Sequence, residues 1–74
     1  MEEKILEIIN AIRAAKDLEP IVELQKETRL RDDLSLTSFD LAELTVKIED
    51  EYDIDIFEDG LVTTIGEIYA KLSK

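Results

Sequence analysis

Ser38 and the acidic side chains that follow it are the residues with which this chain could do chemistry. A Ser at the start of a predicted helix most often caps that helix, because its oxygen accepts a hydrogen bond from a backbone N–H group. Spacing alone therefore favours a structural role for Ser38. Its neighbours decide whether it has a chemical role as well.

A cluster of acidic side chains offers the oxygen ligands that calcium prefers: Asp53, Asp55, Glu58 and Asp59. An EF-hand loop needs such ligands at fixed positions and a Gly at its sixth position. When Gly60 is placed sixth, Phe57 falls on a ligand position, and when Asp53 is placed first, Phe57 again falls on one. Both registers fail, so we predict no metal site and interpret the cluster as a solvated acidic surface.

Composition excludes several classes of function. The chain has nine Lys and Arg against nineteen Asp and Glu, a net charge of −10, and no Cys or His. These absences exclude disulfides, thiolate metal sites and imidazole chemistry. Because no pair of acids lies in an obviously apolar segment that would tune a pKa, we predict that the chain is not an enzyme.

Charge and hydropathy also predict the surroundings of the protein. The negative field disfavours nucleic acid and anionic lipid and favours proteins with basic surfaces. No apolar run approaches the roughly 20 residues of a membrane-spanning helix, and the N-terminus has no signal-peptide core. We therefore expect a cytoplasmic protein without membrane insertion, a monomer, with residues 1–74 forming one domain.

The acidic residues are concentrated in the middle of the chain. Residues 32–59 hold eleven acids and one base, Lys47, so this segment carries the whole net charge of −10. Such a cluster is either a solvated helix face or a docking surface for basic partners.

Apolar periodicity predicts the elements that position Ser38. Isoleucines at helical spacing, from Ile5 to Ile12, predict a first helix over residues 2–16. Residues 17–36 contain Pro20 and have no clean period, so we predict a long loop with one helical turn. A loop of this length is uncommon in a compact domain and hints at function.

A second helix is predicted over residues 38–52, with Thr37 or Ser38 as its cap and Asp40 as a weak capping-box acid. Its wider apolar stripe is assigned to the core: Leu41, Leu44, Thr45, Ile48 and Tyr52. A narrower, offset stripe consists of Phe39, Ala42 and Val46, and it is bordered by Asp40, Glu43, Glu49 and Asp50. This second stripe is either ordinary core or a contact surface.

The C-terminal part predicts a short element and a last helix. Residues 53–60 fit a short strand or a helical turn, and we favour the turn. Thr64 and Glu67 form a capping-box pattern, which predicts a helix over residues 65–73. The predicted fold class is all-α, a small four-helix bundle with three main helices, one short helix and a long first loop.

The run from Asp32 to Leu44 resembles the attachment site of acyl carrier proteins. That family has an acidic-Leu segment, then Asp-Ser-Leu-Asp, and then Glu-Leu two residues further on. The similarity continues without a gap from Glu49 to Ile56, where the family has a Glu-rich run, an aromatic residue and an acid before a buried Ile. Thr63-Thr64-Ile65 resembles the opening of the last helix of the family. The resemblance covers at least residues 30–72 and extends to the four-helix fold.

The resemblance implies that Ser38 carries a 4'-phosphopantetheine arm, which a separate phosphopantetheinyl transferase adds from coenzyme A. The terminal thiol of the arm would hold acyl or related intermediates as a thioester. A chain without Cys needs a thiol from such a prosthetic group. A hydroxyl at a helix start also suits a phosphodiester, because the free N–H groups and the helix dipole favour an anion there.

The resemblance also implies a recognition surface on the second helix. It would meet acyl-activating, synthase and acyltransferase enzymes that have basic docking patches, in fast, salt-sensitive encounters. The residues in question are Phe39, Asp40, Ala42, Glu43, Val46, Glu49 and Asp50. The opposite face of the helix would help to line a cavity for the acyl chain, with Ile56 and Ile65 as wall residues.

Two positions depart from the pattern of the family. Thr37 stands where Asp is usual, and Phe39 stands where fatty-acid carriers have Leu. The second departure favours specialised biosynthesis, such as polyketide, D-alanyl or other secondary pathways, over fatty acid synthesis. The first leaves an alternative open, in which the chain is an unmodified carrier-like interaction module. From the start at Met1 and the end just after the last helix, we expect a free-standing carrier.

Overall fold

The computed structural model describes residues 2–58, 60 and 62–73, and these residues form three α-helices. Helix α1 spans Glu2–Ala14, α2 spans Ser38–Tyr52 and α3 spans Ile65–Leu72. The described part of the chain contains no strand, so the predicted all-α class is confirmed. None of the three helices combines the length and the apolar character that crossing a membrane requires.

Helix α1 forms because its isoleucines fall on one face and its end charges suit the helix dipole. Glu2 and Glu3 lie in the first turn and Arg13 lies in the last. Asp17 then adopts a left-handed φ of 59°, and its N–H donates to Ala14 O while the N–H of Leu18 donates to Arg13 O. The helix ends at Ala14, two residues before the predicted boundary at residue 16, and this Schellman arrangement closes the turn that follows it.

Helices α2 and α3 both begin after a threonine that caps them. Thr37 and Thr64 have extended backbone angles, and each takes part in a complete capping box with the acid three residues later. The prediction of α2 over residues 38–52 is confirmed. Helix α3 ends one residue earlier than predicted, at Leu72, with Ser73 as its C-cap.

The long first loop, residues 15–37, is fastened to the start of α3 by backbone hydrogen bonds. Leu30 donates to Thr63 O at 3.0 Å, Ile65 donates to Thr28 O at 3.0 Å, and Gly66 donates to Lys26 O at 2.9 Å. A Cβ on Gly66 would lie 3.0 Å from Lys26 O, so the absence of a side chain permits this approach. The loop contains a single helical turn, closed by the N–H of Asp33 on Arg29 O, as predicted.

The connection between α2 and α3 forms a turn at residues 56–58, as favoured from the sequence, and its described residues contain no fourth helix. The N–H of Phe57 donates to the Asp55 carboxylate at 2.9 Å, and the N–H of Glu58 donates to Asp55 O at 3.3 Å. The Asp55 side chain thus takes a backbone donor that a continuing helix would need. Asp59, from the acidic cluster, lies outside the described residues.

The core is a single apolar cluster to which the helices and both connections contribute. Its members are Ile5, Ile8, Ile9, Ile12, Leu30, Leu34, Leu36, Leu44, Ile48, Ile56, Val62, Ile65 and Ile68. Complete burial of each such side chain contributes about 1.5–3 kcal/mol to the free energy of unfolding. The loop residues Leu30, Leu34 and Leu36 therefore hold the segment before Ser38 against the helices.

Candidate functional site

Ser38 is the first residue of α2, and its hydroxyl is free. The side chain is exposed, and it makes no hydrogen bond within the described residues. Thr37 does the capping: its Oγ1 accepts from the N–H of Asp40 at 3.2 Å, and its own N–H donates to Asp40 Oδ2 at 2.9 Å. The capping role that spacing alone favours for Ser38 thus belongs to the preceding residue.

The start of α2 is held in place by Lys16, which follows α1. Its ammonium donates to Asp40 Oδ2 at 2.6 Å and to Ser35 O at 2.7 Å. The hydrogen bond from Lys16, together with the one from the Thr37 N–H, lowers the pKa of Asp40 below its ordinary value. Asp40 therefore stays ionised, and the charge pair ties α1 to the turn that presents Ser38.

Arg13 supports the same turn from the buried side. Its Nη1 donates to Leu34 O, and its Nε donates to Glu19 O at 3.1 Å. Leu34 is almost fully buried, and Ser35 follows it with a left-handed φ of 58°. Because two cations and a buried leucine fix this segment, Ser38 projects from a rigid base although a long loop precedes it.

A largely apolar groove of about 330 Å³ opens beside Ser38, and we call it the Ser38 groove. It is lined by Ser38, Leu41 and Ala42 from α2, Arg31 from the loop, and Phe57, Val62 and Thr63 from the second connection. None of these lining residues is acidic, although the chain has nineteen acids. The groove offers apolar contact and one positive charge next to an unused hydroxyl.

The wall residues expected from the resemblance lie elsewhere. Ile56 and Ile65 are both 0% exposed and belong to the closed core, and neither lines the Ser38 groove. Phe57 and Thr63, which come from the same connection, line the groove instead. From the wider stripe of α2, Leu41 lines the groove.

The narrower apolar stripe of α2 faces solvent. Phe39 is 86% exposed and Val46 is 65% exposed, whereas Leu44 and Ile48 on the other face are 0% exposed. The stripe and its acidic border together form what we call the α2 face: Phe39, Ala42, Glu43, Val46, Glu49 and Asp50, all of them exposed. Core packing therefore does not account for this stripe, and a surface of exposed apolar side chains among acids remains.

Asp40 differs from the other acids proposed for that surface. Only 14% of its side chain is exposed, and its carboxylate is engaged by Lys16 and by the Thr37 N–H. Glu43, Glu49 and Asp50 form no ion pair within the described residues. These three carboxylates are free to meet a partner, whereas Asp40 holds the start of the helix.

Sequence reasoning missed two cations of the site, Lys16 and Arg31. Lys16 lies 24 residues before Asp40, and no local spacing rule connects them. Arg31 lies in the loop directly before Asp32, and this position alone gives no reason to assign it to a site. The groove residues Phe57, Val62 and Thr63 were likewise not identified, since they meet Ser38 only in the folded chain.

The residues present fit the phosphopantetheine group that the resemblance implies. Ser38 offers an exposed, unbonded hydroxyl, and the N–H groups of Ser38 and Phe39 have no hydrogen-bond partner in the described part of the chain. The described residues contain no group of three or more acids that could hold a metal ion.

Compared with the models of known protein families, the chain matches none.

Proposed function

We propose that this chain is a carrier protein that holds acyl or related intermediates as a thioester on a 4'-phosphopantetheine group attached to Ser38. The observation that carries the proposal is the free Ser38 hydroxyl. It lies in the first turn of α2, and Thr37 caps that helix in its place. The described residues that line the apolar groove beside it include no acid. Fatty acid and specialised biosynthesis are the pathways in which such a carrier would serve.

The residues around Ser38 have distinct tasks in this proposal. The prosthetic group supplies the thiol, which a chain without Cys lacks. Lys16, Arg13 and the Thr37–Asp40 box keep the Ser38 hydroxyl at a fixed position for the transferase. The lining of the Ser38 groove, with Leu41, Phe57 and Val62, provides apolar contact for the arm or for a short acyl chain.

The α2 face is the proposed docking surface for partner enzymes. Phe39 and Val46 would give apolar contacts, and Glu43, Glu49 and Asp50 would attract basic patches on a phosphopantetheinyl transferase, an acyl-activating enzyme, a synthase or an acyltransferase. Exposed charges of this kind raise the association rate more than the affinity, and salt screens them. Encounters should therefore be brief and salt-sensitive. The carrier itself would act as a cosubstrate and not as a catalyst.

Incubation with coenzyme A, magnesium and a promiscuous phosphopantetheinyl transferase tests the proposal by intact mass. The wild-type protein should gain one phosphopantetheine, and Ser38→Ala should gain none. Ser35→Gly is the matched control, because it removes a neighbouring hydroxyl at a backbone position with a φ of 58°, which suits glycine. It should load like the wild type, whereas loading of Ser38→Ala would place the group elsewhere.

The alternative, an unmodified carrier-like interaction module, uses the α2 face without the arm. The exposed Phe39 and Val46 favour it as much as they favour a carrier. Absence of a mass gain in folded wild-type protein would support the module and contradict the carrier. Thr37→Asp then tests whether the Thr blocks recognition, because Asp also caps a helix and should leave the fold intact.

A further inference from the structure

Arg31 is a cation beside Ser38 for which the fold has no evident use. Its side chain is exposed, and its guanidinium forms no ion pair and no hydrogen bond within the described residues. The nearby cations are engaged: Lys16 with Asp40 at 2.6 Å, and Arg29 with Asp32 at 3.5 Å. An arginine that has no ion pair among the described residues is unexpected in a chain where acids outnumber bases by nineteen to nine.

The fold holds Arg31 in the lining of the Ser38 groove. The neighbouring residue Leu30 is fully buried, and its N–H donates to Thr63 O at 3.0 Å, so the turn and one wall of the groove are joined directly. Leu34 closes the turn on its other side and is 1% exposed. The backbone of Arg31 is therefore fixed, and only its side chain is free to adjust.

Among the described residues that line the Ser38 groove, Arg31 carries the one formal charge, and that charge is positive. The other described lining residues are neutral, namely Ser38, Leu41, Ala42, Phe57, Val62 and Thr63. Arginine binds phosphate oxygens with two parallel N–H groups, which a point charge such as lysine cannot do. The chemistry of the groove thus suits an organic phosphate whose remaining part is apolar or uncharged.

We infer that Arg31 binds the phosphodiester of the group carried on Ser38 and so directs the first part of the arm along the Ser38 groove. The inference rests on the proposed function. The phosphodiester would be bonded to Ser38 Oγ, which lines the same groove as Arg31, whereas the far end of the arm has a wide reach. Arg31 is a positioning residue here, because the reacting thiol lies at that far end.

Nuclear magnetic resonance of the arginine side chains tests the inference on protein loaded with the free-thiol arm. We expect the Nε–Hε signal of Arg31 to move on loading and that of Arg29 to stay. Arg29 is the matched control, since it is already paired with Asp32 and does not line the Ser38 groove. Because the arm carries no acyl group in this experiment, a cargo carboxylate cannot cause the shift.

Thermal unfolding of apo and loaded protein gives a second readout. Loading should raise the Tm of the wild type and of Arg29→Gln by about 1–4 °C more than that of Arg31→Gln, as one partly exposed ion pair would. The difference should shrink in concentrated salt. An unmoved Arg31 signal, or equal Tm changes in Arg29→Gln and Arg31→Gln, would overturn the inference while the mass gain leaves the carrier proposal standing. If the wild type gains no mass, both fail.

Discussion

The starts of α2 and α3 share the same capping motif, but the first helical residue is exposed in α2 and buried in α3. Each helix follows a capping threonine, and each has a box acid three residues later. The first helical residue is the exposed Ser38 in α2 and the fully buried Ile65 in α3. A capping box therefore fixes where a helix begins, and the next side chain decides whether that start serves the core or the surface.

The acids of the two capping boxes, Asp40 and Glu67, also differ in their hydrogen-bond partners. Asp40 binds Lys16, which lies 24 residues away, whereas the Glu67 carboxylate accepts hydrogen bonds from its neighbours Thr63 and Thr64. The start of α2, which carries Ser38, is thus tied to another helix by a charge pair. The start of α3 needs no such tie, because Ile65 and the backbone bonds of the loop already hold it.

Substitutions at the first residue of each helix should give the largest difference in the free energy of unfolding between the two helix starts. Ile65→Ala should lower the free energy of unfolding by about 2–5 kcal/mol, because it leaves a cavity in the core. Ser38→Ala should change it by less than about 0.5 kcal/mol, because the side chain is exposed and unbonded. Urea unfolding measures both, with Ile65→Val as a milder form if Ile65→Ala does not fold. A large loss in Ser38→Ala would mean that its hydroxyl does structural work.

The second helical position should give the next largest contrast. Gly66→Ala brings a Cβ to 3.0 Å from Lys26 O, which is held by the Gly66 N–H. We expect a net loss of about 1–2 kcal/mol, since overpacking outweighs the better helix propensity of Ala. Phe39→Ala, at the same position of α2, should stay within about 0.5 kcal/mol because Phe39 is 86% exposed. Thermal melting of the two variants measures these changes, and a higher Tm for Gly66→Ala than for the wild type would contradict the expected loss.

Removal of the caps should have similar effects at both starts. Thr37→Ala and Thr64→Ala should each lower the free energy of unfolding by about 1 kcal/mol. The contrast lies in the loading of Ser38, which Thr37→Ala should slow and Thr64→Ala should leave unchanged. Initial rates of mass gain measure this. Equal rates in the two variants would mean that the local cap does not help to present Ser38.

Acidic pH should slightly reduce the stabilisation that Asp40 and Glu67 give to the starts of α2 and α3, and salt should affect the Asp40 contribution more than the Glu67 contribution. Hydrogen bonds from Lys16 and Thr37 lower the pKa of Asp40, and hydrogen bonds from Thr63 and Thr64 lower that of Glu67. A lowered pKa means that each ionised carboxylate stabilises the fold above the ordinary carboxylate range, near pH 4, and that this stabilisation is lost as the pH falls through the folded pKa.

Urea unfolding of Asp40→Asn and Glu67→Gln between neutral and acid pH measures these contributions. Each variant should lose less stability on acidification than the wild type. Concentrated salt should shrink the difference for Asp40→Asn, which reports an ion pair, more than that for Glu67→Gln, which reports neutral donors. Identical salt dependence in both variants would remove the distinction between the two acids.

The helices and their caps were predictable because their information is local. Isoleucine spacing in α1, the Thr37–Asp40 pair and the Thr64–Glu67 pair are all legible within a few residues. The exposure of Phe39 and Val46 also agrees with their offset from the stripe that holds Leu44 and Ile48.

The remainder depends on contacts between distant residues. No period marks Leu30, Leu34 and Leu36, because the bond of Leu30 to Thr63 and the fold around it determine their burial. The groove beside Ser38 joins Arg31, Leu41 and Val62, which come from three separate segments. The predicted short fourth helix is not among the three helices of the described residues. The Asp55 carboxylate competes there for backbone donors, and propensity alone does not reveal that competition.

The backbone hydrogen bonds between residues 26–30 and residues 63–66 have a kinetic consequence. They join segments that are far apart in sequence, so the first loop cannot become ordered before the last helix has docked. We expect α1 and α2 to associate early and the loop to close late, with protected Leu30 and Ile65 amides reporting complete folding in hydrogen exchange. The rigid base of Ser38 would then be among the last parts to form, and a partially folded chain would present its hydroxyl poorly to the modifying enzyme.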